Sequence, residues 1–463
     1  MQIRQLYTNC LSEAAYFIAS DGVAAVIDPL RDTDTYRQLA EEEQAEIRYI
    51  FETHFHADFV SGHLDLAEAT GAAIVYGPGT ETSFPVHVAR DGETFSIGRL
   101  TLEVIHTPGH TPESTCYLLR DESGKPYCVF TGDTLFVGGV GRPDLFGGER
   151  DEEVMAGDLY ASVGRLKQLP DEVIVYPAHG PGSACGKNLG PETQSTIGEQ
   201  KQSNYAMLAP DKADFIRQVT EGMSTPPPYF PVNARINREG YTALAQVLEK
   251  SLKALPVKAF KAQMEEGALV LDTRSPEAFA DGFVPGALNI GLDGRFAEWA
   301  GSLIPFDRAV LLVTDPGREE ETVVRMARVG YDNVAGYLQG GMDAWRKAGE
   351  KADLVISVDP DELAMDLPYD PHIRVLDVRK PAEFEGGHVK GAVNLPLETL
   401  ADAGALADIE ERQNLYLHCQ SGYRSMIACS LLKREGFHNL RNVTGGFRAL
   451  EKTKGIEVIP PNP

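Results

Sequence analysis

The chain is short of positive charge. Forty-three Lys and Arg stand against 68 Asp and Glu, a formal charge of −25, and nucleic-acid binding needs a basic surface that this balance does not supply. An anionic substrate would have to be met by a local basic pocket. Long apolar runs are missing as well: none approaches the ~20 residues of a membrane span. The opening MQIRQLYTNCLSEAAYF lacks the basic-then-apolar order of a signal peptide. The expected location is therefore cytoplasmic, with no nucleic-acid and no membrane partner. Cysteine is scarce too. The six, at positions 10, 116, 128, 185, 419 and 429, form no CxxC pair or regular framework, so they read as reduced thiols.

What is present is enough chain, at 463 residues, for about three domains. The C-terminal half repeats itself. VLDTRSPEAFADGFVPGALNI (270–290) is echoed by VLDVRKPAEFEGGHVKGAVNL (375–395), an offset of 105 that pairs Asp272 with Asp377, Phe279 with Phe384 and Gly286 with Gly391. GYDNVAGYLQGGMDAW (330–345) is echoed by GFHNLRNVTGGFRAL (436–450). Each copy reads as a small α/β module with a parallel sheet. Residues 1 to about 250 carry no such repeat. There, short apolar runs such as AAVIDP, IRYIFET and YCVFTGD end in polar or glycine-rich loops, the pattern of buried strands with function at their ends.

Four of those strand ends hold metal-ligand side chains: THFHAD (53–58), TPGHT (107–111), FTGD (130–133) and YPAHG (176–180). Imidazole and carboxylate groups on a rigid sheet suit a borderline divalent metal. The pattern HxHxDH would place another histidine after Asp58, and here Phe59 stands instead. His63, His87 and His106 are expected to be structural, and Cys116, Cys128 and Cys429 to lie in the core.

This set of motifs resembles the metallo-β-lactamase superfamily over roughly residues 1–245. The resemblance implies that His54, His56 and His110 surround one metal position. Asp58, the missing histidine and His179 would surround a second, with Asp133 between the two. With Phe59 in place, the chain is similar to the one-metal branch, the persulfide dioxygenases. That likeness implies one Fe(II) per chain held by His54, His110 and Asp133, with His56, Asp58 and His179 orienting ligands or handling protons. The loop VGGVGRPDL (137–145) is similar to that branch's substrate loop, and Arg142 is its candidate for neutralising an anionic persulfide or its thiol carrier. Cys185, six residues after His179, is a candidate sulfur relay.

The last module contains HCQSGYRSMIACSLLKREGF (418–437). A cysteine, a short glycine-containing loop, an arginine and then an apolar helix make a nucleophile site, because N–H groups at a helix N-terminus stabilise a thiolate and a bound anion. This resembles the rhodanese active loop, and Asp377, Arg379, Glu383 and His388 match the rhodanese signature upstream. Cys419 would carry sulfane sulfur, with Arg424 adding positive charge. In the middle copy the loop reads VTDPGREEETVV, with Asp315 near the position of Cys419, and Phe283 replaces His388. A carboxylate forms no persulfide, so that module is expected to keep the fold without the chemistry.

The expected architecture is multidomain α/β. A metallo-β-lactamase αββα sandwich (1–250) is followed by an inactive rhodanese-like domain (256–352) and an active one (357–463), both with parallel sheets. The order resembles bacterial persulfide dioxygenase–rhodanese fusions. It implies O2-dependent oxidation of a low-molecular-weight thiol persulfide to sulfite, coupled to sulfur transfer through Cys419 that yields thiosulfate, and a homo-oligomeric assembly. A zinc thioester hydrolase of the glyoxalase II type joined to a sulfurtransferase is the competing expectation. A non-enzymatic sulfide-sensing scaffold is the third.

Overall fold

Every residue of the strand Glu13–Ser20 is buried, and its two faces feed two different cores. Tyr16 and Ile18 join one apolar cluster, while Ala15, Phe17 and Ala19 join another, following the period of two that a strand imposes. The strand belongs to a six-stranded sheet in the order Gln2–Thr8, Glu13–Ser20, Val23–Ile27, Glu46–Phe51, Ala73–Tyr76, His87–Val88. Its first three strands are antiparallel and its last four parallel. A second six-stranded sheet runs Ser195–Thr196, Ile174–Pro177, Pro126–Gly132, Thr115–Arg120, Leu100–His106, Thr94–Ile97. The computed structural model describes residues 1–145, 151–400, 403–406, 409–410 and 412–461.

The two sheets face each other across a core that takes Phe51 and Val75 from one side and Leu102, Tyr117 and Phe130 from the other. Helices cover both outer faces. Tyr36 and Ala40 of helix Asp34–Glu42 and Leu66 of helix His63–Thr70 pack on the first sheet. Leu159 and Val163 of helix Glu152–Leu166 and Phe215 of helix Lys212–Thr220 pack on the second. The result is the helix–sheet–sheet–helix sandwich expected of the N-terminal region. Strands Pro126–Gly132 and Ile174–Pro177 are parallel, with Gly132 opposite Pro177, so their following loops emerge at the same sheet end.

The described chain divides into two compact units, the first comprising Met1–Gln246 with Met326–Gly330 and the second the remainder from Val247. In the second unit the repeat is visible as topology. The middle module orders its strands Ala254–Leu255, Val334–Leu338, Val310–Val313, Leu269–Asp272, Leu288–Asn289, and the last module Ile356–Val358, Leu440–Val443, Asn414–His418, Ile373–Asp377, Val393–Asn394. Every pairing in both sheets is parallel.

The repeated polar residues explain why the modules agree. Asp377 takes Arg379 in a bidentate pair, at 2.9 and 2.6 Å, and Arg379 also donates to the Gly387 carbonyl at 2.8 Å. Asp272 and Arg274 do the same, with Gly282 as the carbonyl. Asn394 Nδ2 donates to the carbonyls of residues 377 and 379, as Asn289 does to those of 272 and 274. The buried Asp and Arg side chains are paired internally, as buried charges must be, and with the asparagine amides they hold the turn that follows the strand. Even Phe283 fits this frame: it stacks on Phe279 at 3.9 Å, where His388 stacks on Phe384 at 3.8 Å. Among the described residues no helix is long and apolar enough to cross a membrane.

Candidate metal centre and cysteine loop

The metal-ligand side chains foreseen at four strand ends do meet. Ligand atoms of His54, His110 and Asp133 lie within 4.8 Å of one another, all buried. Two glycines make the approach possible. Gly132, at φ +50°, would put a Cβ 2.7 Å from the Thr53 side chain, and a Cβ at Gly141 would lie 2.1 Å from the Asp133 carbonyl oxygen. Only glycine is free of both the steric block and the penalty of a left-handed backbone. The glycines of the VGGVG stretch thus include one that lets a loop close over Asp133.

Hydrogen bonding fixes the histidine tautomers. His110 Nδ1 lies 2.8 Å from the Arg142 carbonyl oxygen and His179 Nδ1 lies 3.1 Å from the Ser12 carbonyl oxygen. A carbonyl only accepts, so both Nδ1 atoms carry the proton and both Nε2 atoms present a lone pair. The Thr53 hydroxyl donates to Asp28 Oδ2 at 2.9 Å, which leaves His54 Nδ1, 2.9 Å away, to donate to that hydroxyl. The Nε2 atoms of His54, His110 and His179 have no hydrogen-bond partner, and neither has either carboxylate oxygen of Asp133 or Asp58.

Bare lone pairs therefore face bare carboxylate oxygens inside the protein, an arrangement that burial makes costly unless a cation stands between them. Asp133 Oδ2 is 3.3 Å from His110 Nε2 and 3.9 Å from His54 Nε2. These separations exceed a hydrogen bond. Two ligands each ~2.0–2.2 Å from a shared tetrahedral ion stand roughly 3.3–3.6 Å apart. The residues fit a metal. Burial, with neighbouring histidines adding to it, holds the His54 imidazole well below its ordinary pKa, and burial also lowers that of His110. Both effects favour the neutral form that ligates.

His56 has a different setting. Its Nε2 is 3.0 Å from Asp28 Oδ1 and 3.4 Å from Glu52 Oε2, and its Nδ1 is buried without a hydrogen-bond partner. Burial pulls its pKa down, but the Asp28 and Glu52 carboxylates outweigh that and hold it well above the usual value in the metal-free protein. Phe59 is fully buried, and its ring lies 4.3 Å from the His56 ring. The apolar residue therefore takes a packing place against His56. Asp58 and His179 come together with Cys185 as third partner. His63 stacks on Phe84.

Two expectations need correction. Arg142 is no anion receptor. It is 3% exposed, its guanidinium forms a bidentate pair with Asp144 at 2.6 and 2.7 Å, and it also donates to the carbonyls of Ala184 and Ser224. With its donors spent inside, it secures the loop whose carbonyl orients His110. Cys185 is a poor relay: it is fully buried, and that burial, then the Asp58 and Asp133 carboxylates, push its thiol well above the ordinary pKa, which disfavours the nucleophilic thiolate.

Several contributors escaped the sequence. Asn237, on helix Phe230–Glu239, donates from Nδ2 to the carbonyls of His56 and Phe59, both at 2.8 Å, and accepts the Ser61 N–H at 2.9 Å. Asp28 accepts the Thr53 N–H at 2.8 Å. No motif marks either residue; AAVIDP was the only hint, as a strand ending in a carboxylate.

In the last module Cys419 closes strand Asn414–His418, and its Sγ accepts the Gly422 N–H at 3.1 Å just before helix Tyr423–Arg434. Arg424 is placed on that helix but its charge is spent: Nη1 and Nη2 meet Glu383 at 2.6 and 2.8 Å. It ties the cysteine loop to the helix Pro381–Glu385. In the middle module the loop after Asp315 is held shut by Arg318, which pairs with Asp293 and Glu321. The middle module also touches the cysteine loop. Tyr423 donates its hydroxyl to the Gly291 carbonyl at 2.7 Å. A cavity of about 580 Å³ opens there between Ser421, Gly422 and Tyr423 on one side and Glu277 and Asp281 on the other.

Comparison with known proteins agrees with this division. The metallo-beta-lactamase superfamily matches residues 8–179, and the rhodanese-like domain matches residues 256–348 and 359–453. A probable hydroxyacylglutathione hydrolase, glo2, of Schizosaccharomyces pombe is 34% identical over 170 residues, 36% of this chain; the chain spans 62% of that relative's length. The crystal structure of a metallo-beta-lactamase from Staphylococcus aureus is 34% identical and superposes with a TM-score of 0.67, covering 73% of this chain and 99% of its own. That of ETHE1 from Myxococcus xanthus is 32% identical, covering 51% of this chain and 98% of its own, with a TM-score of 0.44.

Proposed function

Because the chain belongs to the metallo-beta-lactamase superfamily and continues into two rhodanese-like domains, we propose that it is a persulfide dioxygenase coupled to a sulfurtransferase. The observation that carries the reading is that a His54–His110–Asp133 cluster shares one chain with a cysteine loop in which Sγ of Cys419 accepts a backbone N–H at a helix start. The second site handles sulfur, so a sulfur substrate at the first makes the pair one reaction sequence. A single divalent iron at the two histidines and one carboxylate would supply the redox chemistry with O2, with open positions left for substrate.

The overall conversion at the first site is R–S–SH + O2 + H2O → R–SH + HSO3⁻ + H⁺. The chain's own contribution is to fix the ligands beforehand. The Arg142 carbonyl and the Thr53 hydroxyl set the His110 and His54 tautomers, and Asn237 clamps the backbone of the His56–Ser61 loop. Such outer contacts typically govern metal affinity by about 10–100-fold. At the second site, R–S–SH + Cys419–S⁻ → R–SH + Cys419–S–S⁻, followed by Cys419–S–S⁻ + SO3²⁻ → Cys419–S⁻ + S2O3²⁻. The Gly422 N–H supports the charge on Sγ in both steps. Sulfite made by one site is consumed by the other, and a shared chain raises its effective concentration.

Metal analysis combined with O2 uptake on glutathione persulfide tests the reading. One iron per chain and one O2 consumed per persulfide are expected, with Cys419→Ser releasing sulfite but forming no enzymatic thiosulfate. Bound zinc, turnover of a glutathione thioester and no O2 consumption would instead establish a hydrolase. That second reading is favoured by the named hydrolase relative and by the retained Asp58–His179 pair.

A further inference from the structure

The first compact unit is discontinuous in sequence: besides Met1–Gln246 it holds Met326–Gly330. Those five residues lie inside the stretch 256–348 that matches the rhodanese-like domain, and three of them end the helix Glu319–Arg328. Met326, Ala327 and Val329 are fully buried. The segment belongs to the middle module by sequence and to the metal domain by packing.

The last carbonyls of a helix have no partner within it, and here residues of the metal domain supply partners. Arg31, 1% exposed, donates from Nη1 to the Ala327 carbonyl at 3.0 Å, where a cation also meets the negative pole of the helix. Its Nη2 donates to the Thr242 carbonyl, and its guanidinium lies 4.7 Å from the centre of the Tyr241 ring. The Arg328 carbonyl accepts the Val60 N–H at 2.7 Å. The Arg328 guanidinium takes Asp32 in a bidentate pair at 2.8 and 2.7 Å.

Val60 gives these contacts their meaning. It is fully buried, stands two residues after Asp58, and follows Phe59, whose ring packs on His56. A buried N–H needs an acceptor, and this one finds it outside the range 8–179 that matches the metallo-beta-lactamase superfamily. The stretch that carries Arg31 and Asp32 is tied to the same loop. The Pro29 carbonyl accepts the Gly62 N–H at 2.7 Å, and Leu30 forms an antiparallel bridge with Ser61. Residues 29–32, 60–62 and 327–328 therefore hold one another.

We propose that Met326–Gly330 is a working part of the metal centre, in which Arg31 and Arg328 are positioning residues that fix Val60 and, through it, the turn carrying His54, His56 and Asp58. Closure of this helix end and binding of a metal at His54, His110 and Asp133 are then one linked equilibrium, and each strengthens the other by the same factor. A module without the thiol is in this way bound to the metal chemistry. The proposal needs a metal on that cluster but neither O2 nor persulfide, so it stands apart from the dioxygenase reading.

The test loads the metal-stripped full chain with Zn²⁺ and follows hydrogen exchange by mass spectrometry over residues 55–61, 326–330 and 423–434. Zinc should slow exchange at 55–61 and also at 326–330, the latter by at least about fivefold, and leave 423–434 unchanged. Arg31→Met should weaken zinc binding at least about tenfold and abolish the zinc response at 326–330 while that at 55–61 persists. Arg31→Lys, which keeps the cation but not the fork that reaches two carbonyls, should fall between. Arg328→Met loses the Asp32 pair but keeps the carbonyl, so it should cost less than Arg31→Met. Exchange at 326–330 that ignores zinc while 55–61 responds overturns the proposal and requires no variant to fold. Zinc binding undiminished in Arg31→Met overturns it as well. Iron content and O2 uptake judge the dioxygenase reading separately.

Discussion

Asn237→Ala is the most demanding test of how the metal loop is held. The side chain is fully buried and makes three hydrogen bonds to the 56–61 backbone. Truncation leaves two carbonyls and one N–H without partners in a dry interior. At about 1 kcal/mol net per hydrogen bond, the loss is about 3 kcal/mol. If that energy holds the loop closed, the opening equilibrium of residues 55–61 rises roughly a hundredfold, since 1.4 kcal/mol is a factor of ten. Native-state hydrogen exchange reads this opening segment by segment, without requiring the multidomain chain to unfold in one step. The Ser61 amide should lose the most protection, while the Phe55 amide, still held by Glu113 at 2.9 Å, should lose less. Asn237→Asp keeps the acceptor for Ser61 but turns a second acceptor toward two carbonyls, so it should protect no better than alanine. A change in exchange below about fivefold in both variants would refute the argument, because a clamp worth 3 kcal/mol must show itself there.

Two further outcomes follow from other parts of the molecule. Burial pushes the Cys116 thiol up to about 11, so its contribution to stability is intact below the unfolded thiol's pKa near 8.5 and is lost as pH rises toward 11, at about 1.4 kcal/mol per pH unit; a Cys116→Ala variant should therefore show a flatter decline of thermal stability between about pH 9 and 11. Tyr423→Phe removes the hydroxyl that meets the Gly291 carbonyl; the expected loss is about 1 kcal/mol, seen as slower sulfur transfer with metal content unchanged, and an unaltered transfer rate would mean that the middle module lends the loop no support.

The sequence disclosed most where identity is local. The Asp-x-Arg pairs at 272/274 and 377/379 are written within three residues, and both repeats were visible for that reason. The histidines at 54 and 56 likewise sit in one motif. What stayed hidden depends on distant segments meeting. Cys185 reaches Asp58, and Asn237 reaches His56, only because the sheets fold their loops to one end, and nothing in the spacing forecasts either meeting. For Arg142 the clue lies two positions away: Asp144 in GRPD can pair with it in the same loop, in the reverse order of the Asp-x-Arg pairs at 272/274 and 377/379. Arg424 shows the same effect at longer range, since its partner Glu383 lies on the helix Pro381–Glu385.

The paired rings at Phe279–Phe283 and Phe384–His388 say something about what a duplicated domain is free to lose. The architecture asks for a flat ring at that place and is indifferent to its polarity. Its demands are met by the Asp–Arg–Asn scaffold and the stacked pair, none of which includes Cys419. A copy can therefore change its loop chemistry at little cost in folding.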